Sequence, residues 1–381
     1  MVYFDNAATT SPKPEVVREA VAYAFKNLSA NPGRSGHDLS LAASQMVYEC
    51  RVALSKMFGF SSPERVVFTL NCTHAINMVI KGLSLNNCKI VTSSLEHNAV
   101  MRPLEKLKKQ GCTIAVAEVF MDDPEATVRS FAGLIDDHTK LVICTHVSNV
   151  CGAILPIEQI GRLCRERGVL FAVDGAQSAG VLPIDMEKMN IDFLCIPGHK
   201  GLYGPMGTGV LFCGKDIPNT LTEGGTGNRS VSLIQPDEYP ERMESGTVNL
   251  PGIAGLKAGI GFVNQKTIPH IHGYEMGLIQ AAYRGLKNIR GVTLYTPYPQ
   301  ADLYAPVLCF NIGTYHSAEA AELLNQAGFA LRAGLHCAPA AHRRLGTISY
   351  GAVRMSPSIF NRNFEVQALL NRISRLAQKL Y

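Results

Sequence analysis

The chain has 381 residues, of which 46% are hydrophobic and 18% charged, and a formal net charge of +5. A chain of this length buries a large core and usually divides into two domains; no apolar run approaches the roughly 20 residues of a membrane span, and no basic run is long enough to imply nucleic acid. The 11 cysteines are scattered, with no C-x-x-C pair and no zinc spacing, so most read as reduced core thiols rather than a disulfide framework or a metal site. Met1 to Asn6 lacks a basic segment followed by an apolar one, and a cytoplasmic protein is expected.

From about residue 60 to 215, short apolar runs alternate with amphipathic segments, the pattern of a mostly parallel sheet wrapped by helices. Strands are predicted over 65–70, 89–92, 113–117, 141–145, 169–174, 193–196 and 209–213, with helices over 73–82, 98–110, 157–167 and 186–189. No G-x-G-x-x-G follows the first strand, which weighs against a nicotinamide site. A helix over 253–265 leaves this unit. Beyond residue 266 the pattern is helix, strand (307–312), helix (317–326), strands (330–332 and 352–356) and a terminal helix (364–380), a smaller α+β unit. His342-Arg343-Arg344, the densest basic cluster, reads as solvated surface.

Two strands stop at a charge. Val169 to Val173 ends in Asp174-Gly175-Ala176-Gln177, and Phe193 to Pro197 ends in Gly198-His199-Lys200. Each charge is thereby delivered to the mouth of the sheet rather than its core. A lysine and a carboxylate placed so suit pyridoxal 5'-phosphate (PLP): the amine takes up the cofactor aldehyde, and the carboxylate keeps the pyridine nitrogen protonated, so that the ring withdraws electrons from a substrate carbon. In isolation such a pair is more often a solvated strand end or an ion pair. The run Gly198 to Gly209 adds glycines where backbone must approach something closely.

With these motifs, with Tyr3-Phe4-Asp5-Asn6-Ala7-Ala8-Thr9-Thr10 and with Arg354-Met355-Ser356-Pro357, the chain resembles class V, fold type I PLP enzymes, specifically the cysteine desulfurases and selenocysteine lyases, over nearly its whole length. The resemblance implies an α/β fold with a large PLP domain over 15–265, carrying a mostly parallel seven-stranded sheet, and a small α+β domain over 266–381 with which residues 1–14 pack. It also implies a homodimer whose partner subunit completes the site.

Residue by residue, the resemblance assigns the phosphate to the helix start at Cys72 and Thr73, to His199, and to Thr247 reached from the second subunit in Arg-x-Glu-x-Gly-Thr-x-Asn. Read singly, Thr73 is a plain N-cap and Gly246-Thr247 a turn. The family often has Thr where this chain has Cys72, and Ser where it has Pro197, so two hydroxyl ligands are expected to be missing. His97, in Glu96-His97-Asn98-Ala99, matches the histidine stacked on the cofactor ring. Asn149 and Gln177 match residues that touch its phenolic oxygen and the substrate.

Leu331-Arg332-Ala333-Gly334-Leu335-His336-Cys337 resembles the Arg-x-Gly-x-x-Cys loop of cysteine desulfurases, which makes Cys337 the nucleophile that accepts sulfur as a persulfide, leaving alanine. A nearby cation, His336 or Arg332, would favour the thiolate. Arg354 matches the arginine that grips the substrate carboxylate, with Arg332 a secondary contact. The short span from Cys337 to Arg354 resembles the compact loop of group II desulfurases, so an acceptor protein is expected to come to the site. Selenocysteine lyase is the near alternative, since it cleaves a Cβ–chalcogen bond in the same pocket. Transamination would need Asp174 and Lys200 but not Cys337. A non-enzymatic sulfur-assembly scaffold would keep only the fold.

Overall fold

The computed structural model describes residues 1–33, 36–227 and 229–379. Seven strands form one sheet in the order Val66–Thr69, Gly209–Cys213, Phe193–Pro197, Leu170–Asp174, Thr139–Thr145, Lys89–Ser93 and Thr113–Ala117. Gly209–Cys213 runs antiparallel to both its neighbours, and every other pair is parallel. Phe193–Pro197 and Gly209–Cys213 are buried at every position. That is why both read as unbroken apolar runs: helices cover the two faces and leave no solvated side. The parallel strands all end at one edge, so the residues just past Ser93, Thr145, Asp174 and Pro197 converge there.

A second sheet is antiparallel, in the order Arg332–Gly334, Ala352–Met355, Leu308–Ile312, Val292–Leu294. It packs through Phe310 and Val353 against Leu278 and Ile279 of the Ile268–Lys287 helix and Leu369 and Ile373 of the Asn363–Gln378 helix. The chain's first strand, Val2–Tyr3, pairs in parallel with Phe329–Ala330, joining the N-terminus to this unit. The long Leu250–Lys266 helix lies against the sheet core through Leu250, Ile253 and Leu256.

Some expectations are corrected. Residues 186–189 form a turn, not a helix: Asn190 already sits at φ +53° and breaks the helical path after one turn. The single strand expected over 330–332 is two strands divided at Leu331, one pairing with Val2–Tyr3 and the other with Ala352–Met355. The terminal helix ends at Gln378, and the predicted end at Leu380 lies outside the described residues. Helices Glu15–Asn27, Asp38–Met57, Pro124–Ala132 and Pro339–Arg344 had not been anticipated.

Candidate active site

Eight of the residues singled out from sequence, Cys72, Thr73, His97, Asn149, Asp174, Gln177, His199 and Lys200, line one cavity of about 510 Å³ at the C-terminal edge of the large sheet. Asp174 is 3% exposed, and its Oδ1 accepts the Ala176 amide at 2.9 Å. Lys200 is fixed through its backbone, whose carbonyl accepts Thr10 Oγ1 at 2.7 Å and the Tyr203 amide at 2.8 Å. Removal from water lowers the Lys200 ammonium pKa, and Asp174 opposes that shift.

The helix Cys72–Gly82 starts on the cavity wall. Its N-cap is Asn71, whose side chain accepts the His74 amide at 2.9 Å, and not Thr73. As the first helical residues, Cys72 and Thr73 have amides without an intrahelical acceptor, beside the positive end of the helix dipole. Gly209 makes this start possible, because a Cβ there would come within 2.6 Å of Asn71 Cα. The Cys72 thiol does not share the amides' direction. It donates to Asp174 Oδ1 at 3.4 Å and the Cys195 carbonyl at 3.3 Å, and burial drives its pKa well up. The residue read as a missing phosphate hydroxyl is a neutral thiol seated beneath the carboxylate.

His97 caps the Asn98–Lys109 helix with Nδ1, which accepts the Ala99 amide at 3.0 Å. That bond fixes the tautomer with the proton on Nε2, and burial keeps the ring's pKa low. Behind it, Glu96 is fully buried, accepts the Thr145 amide at 2.9 Å, and has its pKa pushed up to about 8 by desolvation. His199 Nδ1 is buried without a hydrogen-bond partner, and Lys13 Nζ donates to the His199 carbonyl at 2.6 Å. Gln177 Nε2 donates to the Ala7 carbonyl at 3.0 Å.

The second sheet brings up the other half of the site. Arg332 and Arg354 are opposite each other in the antiparallel ladder. Arg354 is 2% exposed and donates to the Asn149 carbonyl at 2.8 Å and to Asp5 Oδ1 at 2.7 Å, while its Nε is buried and unpaired. Cys337 is exposed, and the other ten cysteines are buried. Its loop is tied to the large sheet at two points: the Asn98 amide donates to the Cys337 carbonyl at 2.7 Å, and Asn149 Nδ2 to the His336 carbonyl at 2.8 Å.

Two expectations fail here. His336 is not a cation beside the thiol: it is 5% exposed, and burial with the neighbouring Arg354 pushes its pKa down to about 2. His342, read as solvated with Arg343 and Arg344, is fully buried, whereas both arginines are exposed. Thr247 is not brought to the cavity within one chain. It is exposed and lines a separate hollow of about 920 Å³ with His74 and Gly207, in a segment fastened by the buried Arg51–Glu244 ion pair at 2.7 Å. Asp5, Lys13 and Glu96 were missed as site residues. Asp5 and Glu96 stood in motifs already singled out, and Glu96 is next to the assigned His97.

The fold and this pairing of a strand-end lysine with a strand-end carboxylate define a class. The Aminotransferase class-V family model matches residues 2–369, and the chain belongs to that family. It is 33% identical to a probable cysteine desulfurase of Methanothermobacter thermautotrophicus over 99% of this chain and 94% of that protein. It is 31% identical to a cysteine desulfurase of Yersinia pseudotuberculosis over 100% and 94%. Among solved structures it is similar to the apo cysteine desulfurase of Thermococcus onnurineus NA1, with a TM-score of 0.92 at 33% identity over 99% of this chain and 95% of that one. The S-sulfonic acid form of the Escherichia coli cysteine desulfurase CsdA superposes with a TM-score of 0.87 at 27% identity over 99% and 94%.

Proposed function

We propose that this chain is a PLP-dependent cysteine desulfurase that moves sulfur from L-cysteine to Cys337, leaves alanine, and passes the persulfide sulfur to an acceptor protein. The observation that carries this reading is the placement of an exposed cysteine on a loop tied to both halves of the site. The relatives named cysteine desulfurases support it across nearly the full chain.

The residues present fit PLP. The Cys72 and Thr73 amides and the unpartnered His199 Nδ1 suit its phosphate, Lys200 its aldehyde, Asp174 its pyridinium nitrogen, and the His97 ring its face. When bound, the cofactor supplies an electron sink for the substrate's α-carbon. Asp174, buried and held by the Ala176 amide, presents its side chain to the cavity. Lys200, its ammonium pKa lowered, gives up its proton more readily than a solvated lysine and can return it to the substrate. His97 can hold or move a proton at Nε2, since Nδ1 is occupied.

Arg354 is supported as the carboxylate clamp by its buried, pre-oriented guanidinium, with Arg332 and Asn149 beside it. Gln177 lines the same cavity. The Cys337 thiolate attacks the substrate sulfur, and the S–S bond forms as the Cβ–S bond breaks with its electron pair left on carbon, where protonation completes alanine. We further propose that Thr247 serves the partner subunit's site in a homodimer, which its position outside its own cavity supports. The division into 15–265 and 1–14 with 266–381 is likewise our proposal, supported by the pairing of Val2–Tyr3 with Phe329–Ala330. The unpaired cysteines fit a reducing, cytoplasmic setting, and no helix among the described residues is long and apolar enough to cross a membrane.

The test is to give L-cysteine and L-selenocysteine to the PLP-loaded protein and measure alanine, sulfide, selenide and the mass of Cys337. Alanine with a sulfur adduct on Cys337 is expected. Transamination products without alanine, or no turnover of either amino acid, would overturn the reading.

A further inference from the structure

His336 and Cys337 are consecutive non-glycine residues with φ of +50° and +55°. L-residues keep that backbone only where their surroundings over-determine it. The Asn149 and Asn98 bonds hold the two carbonyls from one side. From the other side comes a buried chain of three side chains. Thr347 Oγ1 is 2.7 Å from His342 Nδ1, and His342 Nε2 is 3.1 Å from His336 Nδ1. The two imidazoles lie parallel within 10°, with centroids 5.3 Å apart.

His342 stands on the short Pro339–Arg344 helix directly after the loop, and the Thr347 amide folds back on the His342 carbonyl at 2.8 Å. One proton per ring satisfies both links; a second proton on both rings together would set donor against donor between His336 and His342. Burial supports that state, since it pushes the pKa of His342 down to about 4 and that of His336 to about 2.

We propose that His342 and Thr347 are positioning residues for the nucleophile: through the His336 ring they hold the His336–Cys337 backbone in its left-handed form and so fix where the Cys337 sulfur stands. This rests on Cys337 being the sulfur-accepting residue. The chain of hydrogen bonds acts on the loop's shape and leaves the exposed thiol's own chemistry alone.

The test uses the PLP-loaded enzyme with His342→Ala, Thr347→Val and His342→Gln, whose amide presents an N–H near the imidazole Nε2 position. kcat and KM for L-cysteine are measured, together with the pH profile of Cys337 alkylation by iodoacetamide, read from the intact mass. A displaced nucleophile should lower kcat in His342→Ala by about 10- to 100-fold, with KM within about 3-fold because Arg354 is untouched. Thr347→Val should show a smaller loss in the same direction, His342→Gln should recover most of the kcat, and the alkylation profile should stay in place. Should His342→Ala fail to fold, the Gln and Val variants decide.

Parental kcat in His342→Ala or Thr347→Val, or no recovery in His342→Gln, would overturn the proposal. So would a displaced alkylation midpoint, because the imidazoles would then tune the thiol's ionisation. Cys337→Ala separates the layers. If it still desulfurates cysteine, the nucleophile reading itself falls; if it is dead while His342→Ala is fully active, only the positioning role falls.

Discussion

Arg354 Nη2 stands 2.7 Å from Asp5 Oδ1, a contact between residues 349 positions apart in sequence. With Nη1 on the Asn149 carbonyl, the guanidinium plane is set before any substrate arrives. Asp5→Asn leaves a 2%-exposed guanidinium without its anion. We expect it to cost about 2–4 kcal/mol of stability, toward the lower end for a broken buried pair because Asp5 keeps some solvent contact. KM for L-cysteine should rise with it. Thermal unfolding and steady-state kinetics check both, and a parental Tm and KM would show the pair to be dispensable.

Lys200→Ala should lose all turnover and all covalently trapped cofactor after borohydride treatment, because Lys200 is the lysine lining the cavity. Asp174→Asn should still bind the cofactor but lose most activity, since a neutral amide cannot hold the ring nitrogen protonated. Its carboxylate also accepts the Cys72 thiol, so Cys72→Ala tests a separate point. If the thiol only fills space beneath Asp174, cofactor affinity in that variant should change by less than about 3-fold.

Cys337→Ala should lose nearly all sulfide and persulfide production from cysteine yet keep substantial selenide release from selenocysteine. A free thiol, with pKa near 8.5, leaves poorly at neutral pH and needs a thiolate to attack it. The selenol is already ionised there, and its carbon bond is weaker. Equal loss with both substrates, with cofactor and substrate binding intact, would assign Cys337 to selenium chemistry as well.

Stability should peak in mildly acidic solution. His336 and His342 titrate at about 2 and about 4 when folded but near 6.5 unfolded, so the unfolded chain binds the extra protons between these values and stability rises with pH across that window. Glu96 and Glu275 act oppositely. Burial pushes both to about 8 from 4.5, so the folded state holds the extra proton and stability falls as pH rises from 4.5 through 8. Glu275→Gln should therefore shrink the loss of Tm between about pH 6 and pH 8.5; an unchanged loss would show that Glu275 is not protonated in the fold.

The strand ends were legible because a charge that stops an apolar run has one physical destination, the mouth of the sheet. Asp174 and Lys200 declared themselves that way, and the resemblance then supplied their companions. Direction was harder to read. Nothing local tells that the Cys72 thiol turns away from its own amide toward Asp174. His342 was misread because Arg343 and Arg344 beside it are solvated, although Ala338 and Ala341 mark the helix's buried side. The Asp5–Arg354 contact joins the two ends of the chain, beyond the reach of any periodicity.

The pairing of Val2–Tyr3 with Phe329–Ala330 has a consequence for how the molecule comes into being. The strands of the large sheet are all encoded between residues 66 and 213, so a chain still emerging from the ribosome can assemble the wall that carries Asp174 and Lys200. Its first residues must meanwhile wait, unpaired, for a strand made much later. Cys337 and Arg354 emerge after that strand, so the half of the site built on the second sheet is finished later than the half built on the first. A nascent chain that had reached only the end of the large sheet would hold Lys200 and Asp174 yet lack both Cys337 and Arg354.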